Sequence, residues 1–339
     1  MKRRRLGKSA LHVSDICMGT MTFGTGADEA MSHKIMDQSL DAGINFFDTA
    51  EIYPVPPKLE YAGRTEEIVG RWLKDKDRDS IILATKVAGP SGGWFQAAVR
   101  QGNTALDRHN IVKALDDSLK RLGTDYIDLY QTHWPDHGTG YDETMEVLDD
   151  QIRAGKIRAI GCSNETSWGL MKSLEASERL GVTRYCTIQN NFSMNNRRFE
   201  DELAQVCKKE DVSLIPYSPL AGGVLSGKYN DGAKPEGARF SAYLEMEGKR
   251  QFKMAERFVN EKSITSTKRF MAIADEAGIA PVTLATAWSK QHKFVASTIV
   301  GATHTDQLAD IFAASELVLS DDVMKAVDKV TKDILYPMG

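Results

Sequence analysis

Short runs of apolar and β-branched residues recur along the chain, each followed by a polar turn and then by a stretch with apolar residues every three or four positions. The first pattern marks strands and the second amphipathic helices. The strand-like runs fall at residues 16–18, 44–47, 80–85, 127–131, 157–162, 186–189, 213–216 and 296–300. Strands alternating with helices pair in parallel, and eight of them predict an α/β fold, a closed (β/α)8 TIM barrel, as a single domain over residues 1–339.

Residues 109–122 show how such a helix is bounded: Asp107 caps it, Gly123 ends it, and Ile111, Ala114, Leu115, Ser118, Leu119 and Leu122 form its inward stripe. Before the first barrel strand, Leu6-Gly7-Lys8-Ser9 reads as the turn of an N-terminal β-hairpin. The basic run 2–5 is not read as a targeting signal, because no apolar stretch follows it. A C-terminal amphipathic helix is expected over 321–332, and the tail Tyr336-Pro337-Met338-Gly339 is within reach of a pocket at the barrel mouth. Residues 218–262 read as one long irregular segment rich in Gly, Lys and Arg, and loops of that length usually serve function.

Composition narrows the classes of function. A chain that is 42% hydrophobic and 27% charged is ordinary for a globular protein with a large core. Its net charge of -4 supplies no general field for nucleic acid or an anionic membrane surface. No window approaches the roughly 18 uninterrupted apolar residues of a membrane helix, so the expected location is cytoplasmic. Cys17, Cys162, Cys186 and Cys207 lie far apart without C-x-x-C spacing, which favours buried free thiols over disulfides or zinc. The turn after the first strand, Gly19-Thr20-Met21-Thr22-Phe23-Gly24, lacks the G-x-G-x-x-G pattern and disfavours a Rossmann domain; no Walker A motif is present.

In a parallel barrel, side chains at the carboxyl ends of the strands converge on one face. Asp48 closes the second strand, Tyr53 follows on the adjoining loop, Lys86 closes the third strand and His133 the fourth. Carbonyl reduction needs a proton donor, and a tyrosine with an ordinary pKa of about 10 needs help from a neighbouring ammonium. Lys86 fills that role, with Asp48 as its counter-ion and His133 as the hydrogen-bonding partner of the carbonyl oxygen. Taken singly, each has a plainer reading: Asp48 a helix cap, Lys86 a surface charge, His133 a core histidine. A strand-end lysine also suits a Schiff-base lyase. His133 and His137 are spaced like a helical metal pair, but Pro135 breaks that spacing and no metal site is expected.

These residues resemble the aldo-keto reductases. The resemblance is carried by Phe47-Asp48-Thr49-Ala50-Glu51-Ile52-Tyr53, by Lys86, by Asp128-Leu129-Tyr130-Gln131-Thr132-His133-Trp134 and by Gly155-Lys156-Ile157-Arg158-Ala159-Ile160-Gly161-Cys162-Ser163-Asn164. Tyr53-Pro54-Val55-Pro56-Pro57 and Gly301-Ala302-Thr303 resemble the Tas-type subgroup in particular. The resemblance implies reduction of a small carbonyl compound by NADPH held in extended form, with Asp48, Tyr53, Lys86 and His133 catalytic. It further implies that Thr20, Met21 and Asp48 lie beside the cofactor, that Ser163, Asn164 and Gln189 hold the nicotinamide carboxamide, and that Tyr217 stacks on its ring. Ser218, Pro219, Leu220, Gly222, Lys228 and Arg239 would clasp the phosphates, Gly301 and Thr303 the adenosine phosphate, and Gln307 and Asp310 the adenine.

Thr303-His304 stands where many relatives carry a strongly basic residue, and Ile311 where some carry Asn, so NADP is expected with NAD left open. A sensor that binds the cofactor with little turnover is the competing function. Met21, Phe23, Trp94, Phe95 and Trp134 are candidates for an apolar substrate pocket.

Overall fold

A computed structural model describes residues 1–90 and 98–338. Strands β1 (Arg3–Arg5) and β2 (His12–Ser14) form the antiparallel hairpin. Then come β3 (Ile16–Gly19), β4 (Phe46–Asp48), β5 (Ile82–Val87), β6 (Ile127–Thr132), β7 (Ile157–Ser163), β8 (Thr187–Gln189), β9 (Ser213–Leu214) and β10 (Thr298–Gly301). All neighbouring pairs in the order β10-β3-β4-β5-β6-β7-β8-β9 are parallel. The ring closes where Leu214 bridges Val295 and Ile299 N donates to Pro216 O at 2.9 Å, so the fold is the (β/α)8 barrel expected from the pattern. Its last strand before closure is shorter than the run 213–216, because Pro216 has no N–H to give the ladder.

The helices that wrap the barrel are α1 (Glu29–Asp41), α2 (Arg64–Leu73), α3 (Arg108–Leu122), α4 (Tyr141–Arg153), α5 (Ser167–Leu180) and α6 (Leu203–Glu210), followed by α7 (Arg239–Tyr243), α8 (Arg250–Phe258), α9 (Glu261–Glu276), α10 (Pro281–Lys290), α11 (Leu308–Glu316) and α12 (Asp321–Asp333). At α3 the expected signals operate: Asp107 accepts from Asn110 N and Gly123 sits at φ 63°. The segment 218–262 departs from expectation. It contains α7 and α8, because Phe240, Tyr243 and Phe258 turn into the main core and draw short helices with them.

Strand alternation divides the interior in two. Ile16, Met18, Phe47, Leu83, Tyr130, Ile160 and Ile188 face outward and pack under the helices. Cys17, Phe46, Ile82, Ala84, Leu129, Ala159 and Ile215 fill the barrel, together with Leu6, Leu11 and Val13 of the hairpin, which thereby plugs the amino-terminal end. That plug requires a glycine at its turn: Gly7 has φ 47°, its N–H reaches Ser213 Oγ at 2.9 Å, and a Cβ would lie 2.3 Å from Cys186 O. All four cysteines are buried and unpaired. Among the described residues, no single helix is long and apolar enough to cross a membrane.

Candidate active site

The same alternation builds the polar group at the other end. Phe46, Ala84 and Leu129 point into the barrel, so the residues two further on, Asp48, Lys86 and Gln131, point inward too, and His133 follows two beyond that. Register brings them level, with Asp48 beside Ala84 and Lys86 beside Gln131. Lys86 is 0% exposed, which removes the surface-charge reading. Its Nζ donates to Asp48 Oδ2 at 2.6 Å and Thr49 O at 2.8 Å, and lies 3.5 Å from the Tyr53 hydroxyl. His133 stacks on Trp134 with ring centroids 3.8 Å apart and meets Tyr53 edge-on at 5.7 Å. The loop carrying Tyr53 is itself clamped: Glu51 accepts from Ala88 N at 2.6 Å and forms a bidentate pair with Arg100.

Burial pushes the Tyr53 phenol up, the Lys86 ammonium pulls it down, and the net direction is upward. The expected lowering by Lys86 is thus present but outweighed, since a phenolate in a closed barrel loses its water. Burial disfavours the Lys86 ammonium, yet Asp48 and Tyr53 hold its pKa above the ordinary value. A Schiff-base lysine must shed its proton, so these contacts speak against the lyase reading. His133 is pushed well below its usual 6.5, first by burial and then by the Lys86 charge, and is a neutral imidazole at pH 7.

A depressed histidine pKa has a consequence for stability. The unfolded chain takes up the proton at about 6.5 while folded His133, and likewise buried His292, resists it, so stability is lost as pH falls below about 6.5. Melting temperature is expected to decline from pH 7 to pH 5, with a shallower decline in His133→Gln. An equal slope in wild type and variant would refute this.

Ser163, Asn164, Gln189 and Tyr217 come together around the ends of β7 and β8. Tyr217 donates to Asn164 Oδ1 at 2.7 Å, Asn164 Nδ2 donates to His133 O at 2.9 Å and Ser163 Oγ at 3.1 Å, and Ser163 Oγ donates to Gln189 O at 2.8 Å. Gln189 Nε2 reaches Asp48 Oδ1 at 2.9 Å, which joins this group to the Lys86 pair. Gln131, which stands in the sequence only as part of a motif, also places its Nε2 on Asp48 Oδ1, at 3.1 Å. The available signal was an amide at an inward position of an otherwise apolar strand.

Thr20 is fully buried and its hydroxyl bonds Asp48 O at 3.0 Å, while Met21 is half-buried and accepts Val55 N at 3.1 Å. Ser218, at φ 56°, Pro219 and Leu220 lead into a turn over Ala221–Ser226 in which Gly222 and Gly223 have φ 66° and 96°. A Cβ at Gly222 would lie 2.3 Å from the Phe240 ring, and one at Gly223 would lie 2.9 Å from Lys228 Nζ. Lys228 is lowered by burial and then by the charge of Arg239, which also reaches Tyr53. Among the described residues neither cation is paired with a carboxylate; Lys228 feels Arg239, and Arg239 feels the phenols of Tyr243, Tyr229 and Tyr53.

After β10, Gly301 is exposed, but Thr303 N donates to Gln307 Oε1 at 2.8 Å. The Thr303 N–H, which stands where the adenosine phosphate is expected, is thus engaged, because the turn Thr305–Gln307 brings the Gln307 side chain back onto it. Asp310 is exposed at the start of α11.

The substrate-pocket candidates separate. Phe23 is 0% exposed and belongs to the main core, folded inward by its bridge to Ala27, so it lines no pocket. Met21 and Trp134 pack against the small apolar cluster that contains Tyr53, whereas Trp94 and Phe95 lie outside the described residues. The C-terminal tail is held elsewhere, Pro337 O by Asn260 Nδ2 at 3.0 Å and Tyr336 by Asp201 at 3.3 Å, with Met338 buried in the main core.

Fold and site together define an α/β-barrel enzyme with its ionisable groups at the carboxyl ends of the strands. Residues 15–332 match the model of the aldo/keto reductase family, and the chain belongs to that family and is an oxidoreductase. It is 42% identical over 355 aligned positions to Protein tas of Escherichia coli (strain K12), covering 99% of each chain, which places it in the Tas-type subgroup. It is 33% identical to the uncharacterized oxidoreductase YrpG of Bacillus subtilis (strain 168), covering 97% of this chain and 96% of that one. A probable voltage-gated potassium channel subunit beta of Arabidopsis thaliana is 31% identical over the same shares.

Proposed function

We propose that the protein is an NADPH-dependent reductase that converts aldehydes or ketones to alcohols, with Tyr53 as the proton donor. The observation that carries the reading is the buried chain from Asp48 through Lys86 Nζ to the Tyr53 hydroxyl, with 2.6 Å and 3.5 Å separations. Bound NADPH supplies the hydride. Tyr53 keeps its proton at neutral pH, because its phenol is pushed upward, and gives it to the developing alkoxide. Neutral His133 orients the carbonyl oxygen, and Lys86, held charged by Asp48, stabilises the phenolate left behind.

The residues fit the cofactor. Lys228 and Arg239 present two positive charges that meet no carboxylate among the described residues, and Gly222 and Gly223 let the Phe240 ring and the Lys228 side chain pack directly against the turn. This supports NADP over NAD despite Thr303-His304, and a comparison of NADPH with NADH as reductants tests it. Gly301, Thr303, Gln307 and Asp310 stand for the adenosine end, with Gln307 leaving Thr303 N when a phosphate arrives. Four buried thiols fit a reducing compartment, and a cytoplasmic location and a single barrel domain over 1–339 belong to the same proposal.

Tyr53→Phe is expected to lower kcat by about 10²- to 10⁴-fold across a panel of aldehydes and ketones while NADPH still binds. Retained turnover would overturn the assignment of the acid. The similarity to a potassium-channel subunit favours a second reading, a cofactor sensor with little turnover. Tight NADPH binding without turnover on the whole panel would decide for it.

A further inference from the structure

We infer that Gln131 is a positioning residue that locks the Gln189 amide so that it meets the cofactor as a hydrogen-bond acceptor only. The inference rests on the nicotinamide reading of Gln189 given above. It starts from Asp48, whose Oδ2 is taken by the Lys86 ammonium at 2.6 Å. A carboxylate so paired can only accept, so any amide that reaches its other oxygen must turn its NH2 toward it. Two amides do so: Gln131 Nε2 at 3.1 Å and Gln189 Nε2 at 2.9 Å both lie on Asp48 Oδ1. The orientation of both groups follows from the charge of Asp48.

The ring then closes. With its NH2 on Asp48, Gln131 turns its carbonyl oxygen to Gln189, and Gln189 Nε2 donates to that Oε1 at 3.2 Å. Both protons of the Gln189 amide are spent, one on Asp48 and one on Gln131. Its Oε1 receives no hydrogen bond among the described residues, so the amide offers a ligand only an acceptor. Gln131 is 0% exposed and Gln189 3%, so in this buried setting neither amide has water with which to exchange these bonds. Without Gln131 the Gln189 amide would be held at one point instead of two and free to swing about the Asp48 contact.

An acceptor matches the NH2 of a nicotinamide carboxamide and fails to match a methyl ketone in the same place. Three ligands separate the parts of the claim: NADP, its 3-acetylpyridine analogue, and adenosine 2',5'-bisphosphate, which lacks the nicotinamide half. Binding is measured by calorimetry on the full chain, with melting temperature as the control for folding.

Wild type is expected to bind NADP about tenfold more tightly than the acetylpyridine analogue, the loss of one hydrogen bond in a buried site. Gln131→Met is expected to raise the Kd for NADP about five- to tenfold, to raise that for the analogue less, and to leave the bisphosphate unchanged. Gln131→Asn, which keeps an amide one carbon shorter, should move NADP binding in the same direction, and serves if the methionine variant does not fold. Equal weakening of all three ligands, or of none, overturns the positioning role. Equal weakening of NADP and the analogue overturns the acceptor-only claim. Wild type that gains nothing from the nicotinamide half overturns the underlying reading instead, and shows which of the two has failed.

Discussion

Lys86→Met is expected to lower kcat for the proposed carbonyl reduction by about 10³-fold and to destabilise the protein by about 3–5 kcal/mol. Both effects come from one buried contact. Lys86 is 0% exposed and its ammonium is the cation paired with Asp48, which is 3% exposed. Methionine fills the space but leaves Asp48 Oδ2 as a buried charge with no counter-ion, and removing one partner of such a pair costs more than removing both. In the proposed mechanism the kinetic loss arises at Tyr53: Lys86 is the strongest downward influence on its phenol, so without it the proton is held more tightly and a phenolate formed by proton transfer has no ammonium beside it. The double variant Asp48→Asn/Lys86→Met separates the two, recovering much of the stability while turnover stays low. Steady-state kinetics and urea unfolding measure both terms. A Lys86→Met enzyme within tenfold of wild-type kcat would exclude the ammonium from catalysis.

The sequence made the barrel and the strand-end group legible for the same physical reason. A residue at the carboxyl end of a parallel strand can reach the mouth only if its side chain points inward, and the period of two decides that from neighbours alone. Phe46 and Leu129 fill the barrel, so the same period of two turns Asp48 and Gln131 inward at the mouth; strand-end placement alone marks Asp48 in the sequence, and Gln131 stands there only within a motif. What the pattern could not carry were pairings across distant parts of the chain. The bond from Gln189 to Asp48 joins residues 141 positions apart, and the Arg100 clamp on Glu51 joins residues 49 apart. Phe23 departs from its expected place in a pocket because a tight turn in the strand-end loop drives its ring into the core. Segment 218–262 departs in the opposite sense, since its Gly, Lys and Arg mask the few aromatics that pull α7 and α8 onto the barrel.

Asp128→Ala is expected to cost about 3–5 kcal/mol of stability while kcat and KM of the folded enzyme stay at wild-type values. Asp128 stands on β6 with Gln131, but at the amino-terminal end of the strand, the end closed by the hairpin plug. It is 0% exposed and holds three elements at once: Oδ2 accepts Arg78 Nη2 at 2.8 Å and Leu83 N of β5 at 3.0 Å, and Oδ1 accepts Arg158 Nη1 of β7 at 2.5 Å. Alanine leaves the Leu83 N–H buried without an acceptor and Arg78 facing no charge, both of which cost free energy around a carboxylate that is itself 0% exposed. Asparagine keeps an acceptor for Leu83 but not the charge, so Asp128→Asn should fall between wild type and alanine. One strand thus carries a carboxylate that fastens the barrel at its base and, three residues on, an amide that bears on the chemistry at its mouth. Urea unfolding with NADPH turnover measured on the same samples tests the division. A loss of kcat in Asp128→Ala larger than its loss of folded fraction would show that the two ends of β6 are not independent.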